Sequence, residues 1–133
     1  MKAVLLLWFA IPLIAAEPAF KVRIGDTTVE APRERYVAAV LAGEASVFQS
    51  DEALKAMAVA ARTYAVRLRG RHAAEGFDFC STTHCQRVEF NGVTPRLTAI
   101  AASTAVELLW YQGKPAFTPY SRRSEERRVG KEC

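Results

Sequence analysis

Residues 51–71, DEALKAMAVAARTYAVRLRGR, decide the fold. The run has no Gly or Pro before Gly70 and is rich in alanine, the strongest helix former. Leu54, Met57, Ala61, Ala65 and Leu68 recur at helical spacing and make one apolar stripe. Val59 and Val66 make the opposite side apolar too, and a helix apolar nearly all round its middle belongs in a core. Ser50 is placed to cap it, and Asp51 and Glu52 suit its positive N-terminal end. The sequence therefore predicts a buried central helix.

Upstream, residues 20–30 (FKVRIGDTTVE) alternate around the turn dipeptide Gly25-Asp26, the pattern of a hairpin. Pro32 then opens a second helix, with Tyr36, Val37, Val40 and Leu41 on one face and Gly43 as its stop. Downstream, residues 72–92 are irregular and hold both histidines. Thr94-Pro95 starts a short helix through about Thr104. Residues 107–111 and 116–120 read as strands around Gln112-Gly113-Lys114-Pro115. The expected class is α+β: a central buried helix, a second shorter helix pair and short flanking β-hairpins.

Both ends differ in character from this body. Lys2 and the apolar run over residues 3–16, too short to span a bilayer comfortably, read as a secretory signal peptide over 1–16. An exported chain in the periplasm, outside the cell or in the cell wall is expected, with no membrane span after cleavage. Residues 123–133 (RSEERRVGKEC) match, codon by codon, the in-frame translation of a common sequencing adapter, and are expected not to be native. Residues 17–122 remain as the expected domain. The net charge is +4 for all 133 residues; without Lys2 and the tail, 13 basic and 11 acidic residues remain. No basic patch calls for nucleic acid.

Two charges stand alone in apolar sequence. Glu44 is the only one over residues 36–49, and Arg62 the only one over residues 56–66. An unpaired buried ion is costly, so the two either pair with each other or face a cleft. A carboxyl group in apolar surroundings gains proton affinity, which a general acid near neutral pH needs. His72, Cys80, His84 and Cys85 form a second constellation of two sulfurs and two imidazoles, the donor set of a tetrahedral zinc site. A Cys80–Cys85 disulfide, favoured by an oxidising compartment, is the rival, and surface histidines beside free thiols come third. Four protein ligands would make any zinc structural. Trp110, Tyr111 and Tyr120 can stack on sugar rings, although aromatics in edge strands are more often core. Arg67, Arg69 and Arg71 read as a solvated helix end.

Residues 44–65 (EASVFQSDEALKAMAVAARTYA) resemble the signature of the stage II sporulation protein D/LytB family, a Glu-Met-Pro followed by Glu-Ala-Leu-Lys-Ala-Gln-Ala-Val-Ala-Ala-Arg-Thr-Tyr-Ala. Residues 80–86 (CSTTHCQ) are similar to its cysteine–histidine segment and residues 111–115 (YQGKP) to its late hairpin. The resemblance implies a peptidoglycan lytic transglycosylase, or a non-catalytic LytB-like amidase enhancer that binds the cell wall and serves an amidase or other hydrolase. It implies Glu44 as catalytic acid, Arg62 as a residue needed for activity, and zinc on His72, Cys80, His84 and Cys85. A zinc-stabilised structural module is the third class. The sequence departs from the signature at Ala45-Ser46, where Met-Pro stands, and at Met57, where Gln stands; the Trp that follows is absent. The resemblance also implies a domain continuing past the late hairpin, so residues 17–122 are expected to be its N-terminal part.

Overall fold

The computed structural model describes residues 18–45 and 47–120; the expected leader over 1–16 and the tail over 123–133 lie outside them. Strands β1 (Ala19–Ile24) and β2 (Thr27–Pro32) form the hairpin, paired from Ala19↔Pro32 to Ile24↔Thr27. Gly25 takes φ +56° at the first position of the two-residue turn, where a side chain would be strained. Helix α1 (Arg33–Glu44) follows directly, and α2 (Asp51–Leu68) starts at Ser50, whose Oγ accepts from the Ala53 N–H as expected. The short strand β3 (Phe79–Cys80) adds parallel to β1, giving the sheet order β2-β1-β3. Helix α3 (Pro95–Ser103) is capped by Thr94, and β4 (Trp110–Tyr111) and β5 (Lys114–Pro115) make a second hairpin. The class is α+β.

Three boundaries differ from the sequence reading. Helix α1 runs one residue past Gly43, and α2 ends at Leu68. The late hairpin is tighter than expected. Its turn is only Gln112-Gly113, both at positive φ, which is a two-residue turn matched to strand twist. Lys114-Pro115 is consequently strand rather than loop. Residues 116–120 are not a strand; they lie along α2, with Thr118 Oγ1 donating to the Ala60 carbonyl.

The core has two parts that share α1. Phe20, Tyr36 and Phe79 meet at ring-centroid distances of 5.2–5.3 Å between α1 and the sheet. On its other side Val37, Ala38 and Leu41 pack against Leu54 and Ala58 of α2 and Ile100 and Ala101 of α3. Residues 36–41 are each at most 1 % exposed, so the middle of α1 is enclosed on all sides. Alanines at 38 and 39 let neighbours approach closely there. Among the described residues no helix is long and apolar enough to cross a membrane.

Arg62 ties these helices together. Its side chain has no exposure, and its Nη2 lies 2.6 Å from Glu34 Oε2 in the first turn of α1. Nη2 also donates to the Ala101 carbonyl and Thr104 Oγ1 at the end of α3, and Nη1 to the Glu107 carbonyl. A Glu44–Arg62 pair, one of the two alternatives read from the sequence, is not formed. Glu34 takes the guanidinium because both lie on facing sides of α1 and α2, whereas Glu44 is at the far end of α1. Removing one partner of a buried pair strands the other charge and costs about 3–5 kcal/mol. Glu34→Ala should therefore lower the unfolding free energy by about that amount in chemical denaturation. A loss under about 1 kcal/mol would mean that water or other groups replace the carboxylate.

Candidate active site

Glu44 is the last residue of α1. That end is the negative pole of the helix, where a carboxylate gains nothing for stability. Its Oε1 instead accepts a 2.8 Å hydrogen bond from the Arg87 backbone N–H. The neighbouring Gly43 makes this contact possible: a Cβ there would collide with the Arg87 carbonyl. One turn back, the Ala39 carbonyl accepts from the Glu89 N–H at 3.0 Å. The segment 86–89 is thus laced along α1, and it fixes the Glu44 side chain. Glu44 is half-buried and lines an open cleft of about 500 Å³ with Tyr64, Tyr120, Thr83, Cys85 and Arg87; Pro119 completes the wall. This is within the range of small-ligand sites.

Arg62 is not in that wall. Every hydrogen bond it makes goes to Glu34, α3 or the Glu107 carbonyl, so the structure does not bring it to Glu44. It does bring His72, Cys80, His84 and Cys85 together. One donor atom from each lies within 4.8 Å of the others. His72 Nε2 is 3.3 Å from Cys85 Sγ, and the sulfurs are 3.2 Å apart. His84 Nδ1 is 3.6 Å from Cys80 Sγ and 3.7 Å from Cys85 Sγ. Ligand atoms around a tetrahedral zinc sit about 3.3–3.8 Å apart, so the donor set fits a metal ion with little rearrangement. Both cysteines are free thiols, and the alternative disulfide is absent.

The surroundings suit a metal as well. His72 Nδ1 is 2.6 Å from Glu75 Oε1, which fixes the ring so that Nε2 faces the sulfurs. Hydrogen bonding to His72 holds the Glu75 carboxyl below its usual range. Burial works to raise the Cys80 thiol, but hydrogen bonds from Thr82 and Cys85 outweigh it and bring it to about 6. Burial pushes the Cys85 thiol up to about 11. The two sulfurs titrate as a pair that readily holds one thiolate.

Sequence reasoning missed several contributors. Glu34 carried no local sign of its pairing with a residue 28 positions away. Gln86, 2 % exposed, accepts from Tyr36 Oη and donates to the Ala61 carbonyl and Tyr120 Oη. Its signal was its place between a cysteine and an arginine in a segment otherwise read for metal ligands. Tyr120 lines the cleft instead of sitting in an edge strand, while Trp110 and Tyr111 are exposed, at 63 % and 67 %. Of the arginine trio, Arg69 donates to the Ala19 carbonyl, and Arg71 bridges Tyr64 Oη and the His84 carbonyl.

A small α+β domain with a carboxylate cleft beside a histidine–cysteine cluster is the class that these elements define. The chain belongs to the SpoIID family, whose model, described as stage II sporulation protein, matches residues 25–111. That span holds Glu44, Arg62 and all four residues of the cluster. It is a family related to sporulation and the cell wall and associated with cell-wall lytic activity. No curated protein sequence matches the chain.

If the cluster holds zinc, Glu75→Ala should weaken zinc binding about 10–100-fold while leaving all four ligands in place. Competition with a chromogenic chelator measures this; unchanged affinity would show that Glu75 does not orient His72.

Proposed function

We propose that this protein is a peptidoglycan lytic transglycosylase in which Glu44 is the acid. The observation that carries the reading is that Glu44 is the one carboxylate lining the cleft among the described residues. Glycosidases that use water or a protein nucleophile need two carboxyl groups flanking the scissile bond. One carboxylate suffices when the nucleophile is the substrate's own 6-hydroxyl. The Glu44 proton passes to the glycosidic oxygen as the bond from the anomeric carbon to that oxygen breaks. The 6-hydroxyl oxygen bonds to the anomeric carbon, and its proton returns to the Glu44 carboxylate. The products are a 1,6-anhydro sugar and a new chain end, with no water consumed.

In this reading Arg62 acts from behind, holding α1 through Glu34 so that residue 44 reaches the cleft. Glu34, not Glu44, occupies the Arg62 guanidinium. Zinc on His72, Cys80, His84 and Cys85 would be structural. When bound, it supplies a crosslink that stiffens the loop leading to Arg87. The substrate, peptidoglycan glycan strands, places the working protein outside the cytoplasm, in the periplasm or cell wall. A second reading, a LytB-like module serving a cell-wall amidase, is favoured by the exposed Trp110, Tyr111 and Phe117.

Glu44→Gln keeps the acceptor oxygen for the Arg87 N–H but removes the transferable proton. Loss of general acid catalysis costs about 10²–10⁴-fold. Release of anhydro-muropeptides from purified glycan, followed by mass spectrometry, should fall by at least that factor. Release at the wild-type rate would remove Glu44 from the role. Glycan binding and stimulated amidase activity without anhydro products in the unaltered protein would establish the second reading.

A further inference from the structure

The cleft beside Glu44 holds two tyrosines whose hydrogen-bond polarity is forced by their neighbours. Gln86 Nε2 is 3.2 Å from the Ala61 carbonyl oxygen, which can only accept, so this atom must be the amide nitrogen. The same nitrogen lies 2.9 Å from Tyr120 Oη, so the Tyr120 oxygen accepts. Tyr36 Oη, 2.8 Å from Gln86 Oε1, supplies the donor on the other side of the amide. Tyr64 Oη lies 3.1 Å from Arg71 Nη1, and a guanidinium only donates, so this oxygen accepts too.

Each phenol therefore keeps its own proton for something else. Neither Tyr64 nor Tyr120 donates to an acceptor among the described residues, and both line the cleft with Glu44. Their rings lie 6.4 Å apart, close enough to address one sugar unit together. Burial holds the Tyr120 phenol above its usual range, so it stays a donor at neutral pH.

We propose that Tyr64 and Tyr120 are substrate-binding residues that donate their phenolic hydrogens to acceptor oxygens of the glycan bound beside Glu44. This rests on the cleft reading above and deepens it. The site selects for acceptors, and the acetamido carbonyl is the strongest acceptor that an N-acetylated glycan offers. Arg71 and Gln86 are positioning residues that aim the two donors. Gln86 and Arg87 are adjacent, so one short segment sets both the donor and the carboxylate.

The test uses the full chain carrying Glu44→Gln, so that binding is read without turnover, with purified glycan strands as the probe. Tyr64→Phe and Tyr120→Phe are each added, and affinity is measured by calorimetry alongside Tm and metal content. A net hydrogen bond corresponds to roughly a threefold to tenfold loss of affinity. That loss from each change, with Tm and metal content held, supports the proposal. Unchanged affinity in both overturns it while leaving the acid role of Glu44 intact. Absence of glycan affinity in the Glu44→Gln protein itself overturns the cleft reading and this inference with it. Tyr120→Phe leaves a buried Gln86 N–H without its acceptor; should that variant fail to fold, Tyr64→Phe decides, since its partner Arg71 is at the surface.

Discussion

A guanidinium with no exposure to water must find hydrogen-bond acceptors on every side, and that demand organises this domain. Arg62 meets it with the Glu34 carboxylate, the Ala101 and Glu107 carbonyls and Thr104 Oγ1. These acceptors come from α1, from the end of α3 and from the chain leading to the late hairpin. A buried pair of this kind adds little net stability over an apolar alternative, but it penalises any arrangement that leaves the charge unpaired. It thereby fixes the placement of α1 relative to α2 and α3. The consequence is felt at the other end of α1, where Glu44 enters the cleft.

A second constraint acts on Glu44 from the opposite side. The segment after the histidine–cysteine cluster runs against α1 so closely that only glycine fits at position 43. There the Arg87 N–H holds the Glu44 carboxylate, and the Glu89 N–H bonds to the body of α1. Cys85, Gln86 and Arg87 are consecutive, so anything that stiffens the cluster also stiffens the groups around the carboxylate. A closed four-ligand metal would serve the cleft by stiffening its wall, with no open position for a further ligand. Gln86 extends the same logic inwards, joining Tyr36 of the core to Tyr120 of the wall.

Features with local causes were legible in the sequence. The alanine-rich run of α2, the Ser50 and Thr94 caps and the Gly25-Asp26 hairpin each depend on residues a few positions apart. The four metal-ligand candidates stood out because sulfur and imidazole are uncommon, and the fold does converge them. What could not be read was long-range pairing. Glu34 looks like an ordinary first-turn acid, and nothing near it points to Arg62. Arg62 looked like a partner for Glu44 because both were lone charges in apolar sequence. The helix spacing that puts them on different parts of the fold is not encoded nearby. The late hairpin was misregistered because Lys114-Pro115 resembles turn sequence, whereas the positive φ angles belong to Gln112 and Gly113.

The claim at the centre is that the side chain at position 44 meets the bond to be broken. The most direct measurement is the structure of the Glu44→Gln protein with a glycan oligomer bound. The expected result is a glycosidic oxygen within about 3 Å of the residue 44 side chain, with the scissile linkage lying in the cleft. A glycan seated elsewhere, or a linkage separated from position 44 by the Arg87 side chain, would contradict proton donation by Glu44.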